Sequence, residues 1–264
     1  MTHDEQRAYL IRTLLDEDRQ YRDVVIPQGE QEQKDLLRAL MNVRAPKPIG
    51  RSFLEIQDAY LSEERDRLGV VDGAALAPIP SDPRIVLWQG DITTLRVDAI
   101  VNAANCALRG CFYPLHSCID NLVHSRSGIQ LRLLCDDIMN RQGHDEPTGT
   151  AKITPAFNLP CRYVLHTVGP IISGPVTDAD CALLASCYRS CMELAAASGC
   201  GSIAFCCIST GEFHFPKEKA AEVAIAAVKD ALSVQTRIER VIFNVFGTES
   251  LEIYRRRLGL EAPT

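Results

Sequence analysis

In the first quarter of the chain, apolar residues recur every three or four positions, and that spacing predicts helices over 4–17, 28–44 and 52–66. Leu36, Leu37, Leu40 and Met41 mark one such stripe; Phe53, Ile56, Ala59 and Tyr60 mark another. Between 67 and 83 the pattern breaks. RLGVVDGAALAPIPSDP carries two glycines and three prolines and reads as a linker crossing a surface. From Arg84 onward, short β-rich runs at 84–88, 97–102, 150–154, 162–168, 202–207 and 240–245 alternate with helical stretches. The clearest helix is 217–232, where Ala220, Val223, Ala224, Ala227, Val228, Ala231 and Leu232 share a stripe and Lys217, Lys219, Glu222, Lys229 and Asp230 fall elsewhere. The alternation predicts an α/β domain over 84–264, with a largely parallel or mixed sheet, behind a helical extension and linker over 1–83.

Composition adds bounds. The chain has 264 residues, of which 46% are hydrophobic and 23% charged, as expected of a soluble globular protein with ample core. No apolar run approaches a membrane span. The opening MTHDEQRAYLIRTLLDEDRQ is acidic and helical in pattern, unlike a signal peptide, so a cytoplasmic location is expected. A formal charge of −6 argues against non-specific nucleic-acid binding, yet leaves room for a small anion held by backbone amides. Eleven cysteines in a long chain suggest a reducing compartment, with Cys181, Cys187, Cys191, Cys200, Cys206 and Cys207 as packing residues.

Chemistry concentrates first in Gly110-Cys-Phe-Tyr-Pro-Leu-His-Ser-Cys-Ile-Asp120. Cys111, His116 and Cys118 are ligand types that suit Zn²⁺, and three protein ligands is the count that leaves a coordination position open. Their spacing does not fit one helical face, and Pro114 disfavours a regular helix, so a clasping loop is the expected geometry. The alternative is a chance meeting of thiols and imidazole in a cysteine-rich chain.

Small, polar and glycine-rich residues also follow the predicted strands: Gly90-Asp91-Ile92-Thr93, Asn102-Ala103-Ala104-Asn105, Ser209-Thr210-Gly211-Glu212-Phe213 and Phe246-Gly247-Thr248. Open α/β sheets bind ligands at such strand ends. Ser209-Thr210-Gly211 shortly before a helix suits a phosphate, and the competing reading is a plain strand-to-helix turn.

Taken together, the ordered segments resemble a macrodomain, a three-layer α/β/α fold that binds ADP-ribose. They are Gly90-Asp91-Ile92-Thr93, Val97 through Asn105, Pro147 through Thr154, Tyr163 through Pro170, and Ile208-Ser209-Thr210-Gly211 with Pro216 beyond it. The resemblance covers residues 84–258. Where hydrolytic macrodomains carry a glycine run before Val-Asp-Gly-x-Ile-His, this chain has the Cys/His loop, then Asp120 and, four residues on, His124. That departure, with the N-terminal extension, is similar to the zinc-dependent microbial macrodomains.

The resemblance also implies roles for single residues. Cys111, His116 and Cys118 would hold Zn²⁺; Asp120 is the candidate catalytic carboxylate, with Asn105 facing the distal ribose. Asp91 and Ile92 would receive the adenine, and Ser209, Thr210, Gly211 and Glu212 the diphosphate. Phe213 or Phe215 would line the distal ribose and Phe246 the adenine. Of the other histidines, His124 is expected to pack or make a structural hydrogen bond, His166 to lie satisfied in the core, His144 to be solvated, and His214 to be near ligand without a catalytic role. The implied function is a zinc-dependent glycosidase-type hydrolase, releasing ADP-ribose from modified protein side chains, ester-linked Asp or Glu in the first instance, and functionally linked to a sirtuin-type ADP-ribosyltransferase. Two alternatives stay open: an ADP-ribose reader that binds without cutting, and a purely structural zinc with His144 or Asp120 as fourth ligand.

Overall fold

The computed structural model describes residues 1–260 apart from Gln235; the end of the expected 84–264 domain, 261–264, lies outside the described residues. Three helices come first: α1 (His3–Glu17), α2 (Glu30–Val43) and α3 (Arg51–Leu68). Thr2 opens α1 with a capping box, its Oγ1 accepting from the Glu5 amide while the Glu5 carboxylate accepts from the Thr2 amide. The stripes read from sequence meet in one apolar cluster that includes Leu10, Ile11, Leu14, Leu37, Leu40, Met41, Phe53 and Tyr60. Ile129 from the α/β body completes it, so the three helices share core with that body.

The expected linker carries more structure than its composition suggested. β1 (Val71–Asp72) pairs in parallel with β3 (Leu95–Arg96), and Gly73–Ala75 forms a 3-10 turn. A two-residue strand leaves no alternation to detect.

The main sheet has the order β2 (Ile85–Gln89), β8 (Arg240–Val245), β7 (Ser202–Phe205), β4 (Ala99–Ala103), β6 (Tyr163–Thr167), β5 (Ala151–Pro155). Every pairing is parallel except β5 with β6. β4 and β8 are buried along nearly their whole length, which is why they read as continuous apolar runs rather than alternating ones. Two helix groups pack on this sheet: α4 (Ile119–Ser127) with α5 (Ile129–Gln142), and α6 (Asp178–Ala197) with α7 (Lys217–Val234) and α8 (Thr248–Arg257). The α7 stripe is buried at Ala220, Val223, Ala224, Ala227, Val228 and Leu232, and its alanines let α6 lie close. Among the described residues no helix is long and apolar enough to cross a membrane.

Candidate active site

Parallel strands direct their carboxyl ends to one edge of a sheet. There the loops after β2, β4, β7 and β8, with the segment entering α4, enclose a cleft of about 510 Å³. Asp91, Ile92, Asn105, Cys111, His116, Cys118, Asp120, Ser209 through Phe213, and Phe246 all line it. Phe215 does not. It is 1% exposed in the core, so of the two candidate phenylalanines only Phe213 reaches the cleft. His144 is exposed and His214 stands outside the cleft wall.

Asp120 sits in the first turn of α4, almost fully buried. Its Oδ1 accepts from Asn102 Nδ2 at 2.8 Å and its Oδ2 from Asn105 Nδ2 at 3.2 Å. Asn105 is held in turn, its Oδ1 accepting from the Ala107 amide at 3.1 Å. Burial pushes the Asp120 carboxyl up to about 6, against the pull of Asn102 and Arg132. Behind it, His166 pairs through Nδ1 with Asn102 and through Nε2 with Thr154, and burial lowers it to about 4, which keeps it neutral. His124 is buried with its Nε2 3.6 Å from Asp120 Oδ1; burial, then His166 and Arg132, push it well below the usual imidazole range. Gly110 lies flat on that ring: with φ +80°, a Cβ there would come within 2.8–3.0 Å of three ring atoms.

The ligand atoms of Cys111, His116 and Cys118 converge within 4.8 Å of one another. Cys118 caps α4, its thiol accepting from the Asn121 amide at 3.4 Å. Burial nevertheless pushes that thiol up, and the charges of Cys111 and Asp120 push it further. His116 Nδ1 is buried without a hydrogen-bond partner. Two thiols, an imidazole with an unused nitrogen, and mutual repulsion among anionic groups are what a soft to borderline dication relieves, so the residues fit Zn²⁺. Across the cleft, Glu212 approaches His116 Nε2 at 3.7 Å and brings the two loops together.

The loop after β7 leaves several backbone amides free. Ser209 adopts φ +63° and is buried, and the Thr210, His214 and Phe215 amides turn inward to Cys207, Gly211 and Ser209 carbonyls. No acceptor among the described residues takes the Gly211, Glu212 or Phe213 amides, and α7 starts four residues on. Gly169 makes the packing possible, since a Cβ there would fall on Ser209 Oγ. At the opposite end, Asp91 accepts from the Thr93 amide and hydroxyl and forms a 2.6 Å ion pair with Arg126 of α4. Phe246 stands 79% exposed at the rim. Sequence reasoning missed Arg126, which looks like an ordinary helix-surface cation, and treated Asn102 only as a strand end.

Sheet, cleft and amide-rich loop define an α/β domain with an open cleft at the carboxyl edge of its strands. The Macro domain family model matches residues 101–224. The chain is 55% identical over 261 residues to a protein-ADP-ribose hydrolase of Treponema medium, covering 98% of this chain and all of that protein. It is 44% identical over 255 residues to a protein of the same name from Staphylococcus aureus strain MRSA252, covering 96% of this chain and 95% of the other. The solved Trypanosoma brucei macrodomain in complex with ADP-ribose matches at a TM-score of 0.66 and 29% identity, over 84% of this chain and 95% of that one. The chain belongs to the Macro domain family.

Proposed function

We propose that this chain is a zinc-dependent hydrolase that releases ADP-ribose from modified proteins. One observation carries the reading: Asp120 is buried at the cleft floor, aligned by Asn102 and Asn105, beside the convergent Cys111, His116 and Cys118.

The ligand follows from the cleft's two ends. The free amides of Gly211 through Phe213 and the start of α7 receive the diphosphate, with Ser209 and Thr210 shaping the turn. Asp91, acceptor-only when ionised and steadied by Arg126, takes the adenine amino group over Ile92, with Phe246 at the rim. The distal ribose then lies between Asn105, Phe213 and the metal loop. Cys111, His116 and Cys118 would hold Zn²⁺, which when bound would supply a Lewis acid able to orient and polarise the sugar; two thiolate ligands would make the site formally neutral, which favours that task over acidifying water. Asp120 accepts a proton from water as the water oxygen bonds to the anomeric carbon and the bond to the protein side chain breaks.

Glycoside cleavage commonly needs a second carboxyl group to protonate the leaving oxygen. Here Asp91 is tied to Arg126 and Glu212 is 69% exposed. An ester-linked Asp or Glu leaves as a carboxylate and needs no such acid, which supports that linkage. The substrate is thus an ADP-ribosylated protein, the product free ADP-ribose, and the supplying enzyme an ADP-ribosyltransferase, for which the resemblance suggests the sirtuin type. Eleven free thiols support a reducing, cytoplasmic setting. Release of ADP-ribose from a mono-ADP-ribosylated protein, abolished by a zinc chelator and restored by Zn²⁺, tests the reading; release unaffected by the chelator removes zinc from it.

A further inference from the structure

Between β4 and α4 the metal-loop segment forms no helix or strand, yet Cys111 and His116 are tied down through their carbonyls and Cys118 through its thiol. The Cys111 carbonyl accepts from Arg132 Nη2 at 3.3 Å. The His116 carbonyl accepts from Arg38 Nη2 at 2.8 Å. The Cys118 thiol accepts from the Asn121 amide. Leu115, just before His116, adopts φ +56°, in the left-handed region where a leucine is strained. Its amide is held there by Asn42 Oδ1 at 3.0 Å.

These ties lead back to α2. Arg38 and Asn42 lie one turn apart on it, on the face toward the loop. Asn42 is 1% exposed and also donates from Nδ2 to Ser125 Oγ at 2.8 Å. Arg38 reaches past His116 to Asn121 Oδ1 at 2.8 Å, and Asn121 Nδ2 donates to the Tyr113 carbonyl at 2.9 Å. Arg132, buried on α5, donates from Nη1 to the carbonyls of Met41, Asn42 and Arg44 at 3.0, 2.7 and 2.8 Å, so one guanidinium joins the end of α2 to Cys111.

We infer that α2 is the clamp of the metal centre: Arg38 and Asn42 are positioning residues that fix His116 through the backbone at Leu115 and His116, Arg38 also holding Asn121, whose amide bonds the Cys118 thiol, and the N-terminal extension is a working part of the site. The inference rests on the reading of those three residues as ligands. Partners behind metal ligands typically change metal affinity by about 10–100-fold when removed.

The test is Zn²⁺ affinity of the full chain, measured by competition with a chromophoric chelator, alongside the thermal midpoint. Arg38→Ala and Asn42→Ala are expected to loosen Zn²⁺ by about 10–100-fold. Asn42→Asp, which keeps an oxygen for the Leu115 amide, is expected to stay near wild type. Gln57→Ala breaks an equally buried tie, from the Ile129 amide to α3 at 3.1 Å, away from the loop. It is expected to lower the thermal midpoint and leave Zn²⁺ affinity unchanged. Arg38 is partly exposed, so its variant decides the matter if Asn42→Ala does not fold. Wild-type Zn²⁺ affinity in Arg38→Ala and in Asn42→Ala overturns the clamp alone, as does an equal loss in Gln57→Ala. A wild-type chain that takes up no Zn²⁺ overturns the ligand assignment, and the clamp with it.

Discussion

Replacing Gly169 by alanine isolates the anion loop from everything else in the cleft. Gly169 does not sit in the left-handed region, so alanine's own backbone is at ease there. The cost is steric. The added Cβ falls on Ser209 Oγ, lies 2.8 Å from Ile208 Cγ2 and 3.3 Å from Ser209 Cβ. Rotating the serine hydroxyl relieves the first contact but neither of the others, so the backbone at 208–209 has to move. Overpacking of this kind costs about 1–3 kcal/mol. In a chain of this size that lowers the thermal midpoint by about 2–12 °C. The displaced residues lead directly into the Gly211–Phe213 amides; misaligning one charge-assisted bond to the diphosphate costs about 1.5–3 kcal/mol. ADP-ribose affinity, read by isothermal titration calorimetry, is therefore expected to fall about 10–100-fold. Adding Ser209→Gly to the same chain removes the closest clash and relaxes the φ +63° position, and most of the affinity is expected to return. Unchanged affinity in Gly169→Ala, or no recovery in the double variant, would refute the assignment of this loop to the diphosphate.

Three further outcomes rest on named contacts. Asp120→Asn keeps the shape of the floor but removes the proton acceptor; ADP-ribose release is expected to slow by about 10²–10⁴-fold with product affinity kept, and a rate within tenfold of wild type counts against Asp120 as base. Arg126→Gln frees the Asp91 carboxylate; calorimetry should show ADP-ribose bound about tenfold more weakly and less preferred over its hypoxanthine analogue, whereas equal preference breaks the link between Arg126 and adenine. At Asp98, burial pushes the carboxyl up, but the Gly201 and Ser202 amides, the Ser202 hydroxyl and Arg162 outweigh it and hold it below its ordinary value of 3.8. Its stabilisation is thus complete above that value and lost as pH falls through the lower folded one. Urea midpoints of wild type and Asp98→Asn should differ at neutral pH and converge on acidification; a gap that persists in strong acid contradicts this sign.

The strand-end motifs were legible because parallel strands carry their ligand loops in fixed order, and every strand of the main sheet was anticipated to within two residues at either end. The α7 stripe was legible because one face of that helix is buried and the other wet. What escaped was set by tertiary distance. Arg126 becomes meaningful only when α4 lies against the loop holding Asp91, and Asn42 only when α2 lies against residues more than seventy positions away. Phe213 and Phe215 could not be told apart in the sequence because an aromatic beside a glycine-rich loop reads the same whether its ring faces ligand or core; Phe213 lines the cleft and Phe215 faces core. The expected strand 202–207 ends at Phe205, since Cys206 and Cys207 turn to line the cleft.

The central claim is that this cleft cuts what it binds, with metal help. The most direct measurement is the ADP-ribose released from a mono-ADP-ribosylated protein bearing an ester-linked acidic side chain, incubated with the full chain, with chelator, and with chelator and then Zn²⁺. The account predicts release, loss of release, and its return. Tight binding of ADP-ribose with no release under any of the three conditions would contradict it.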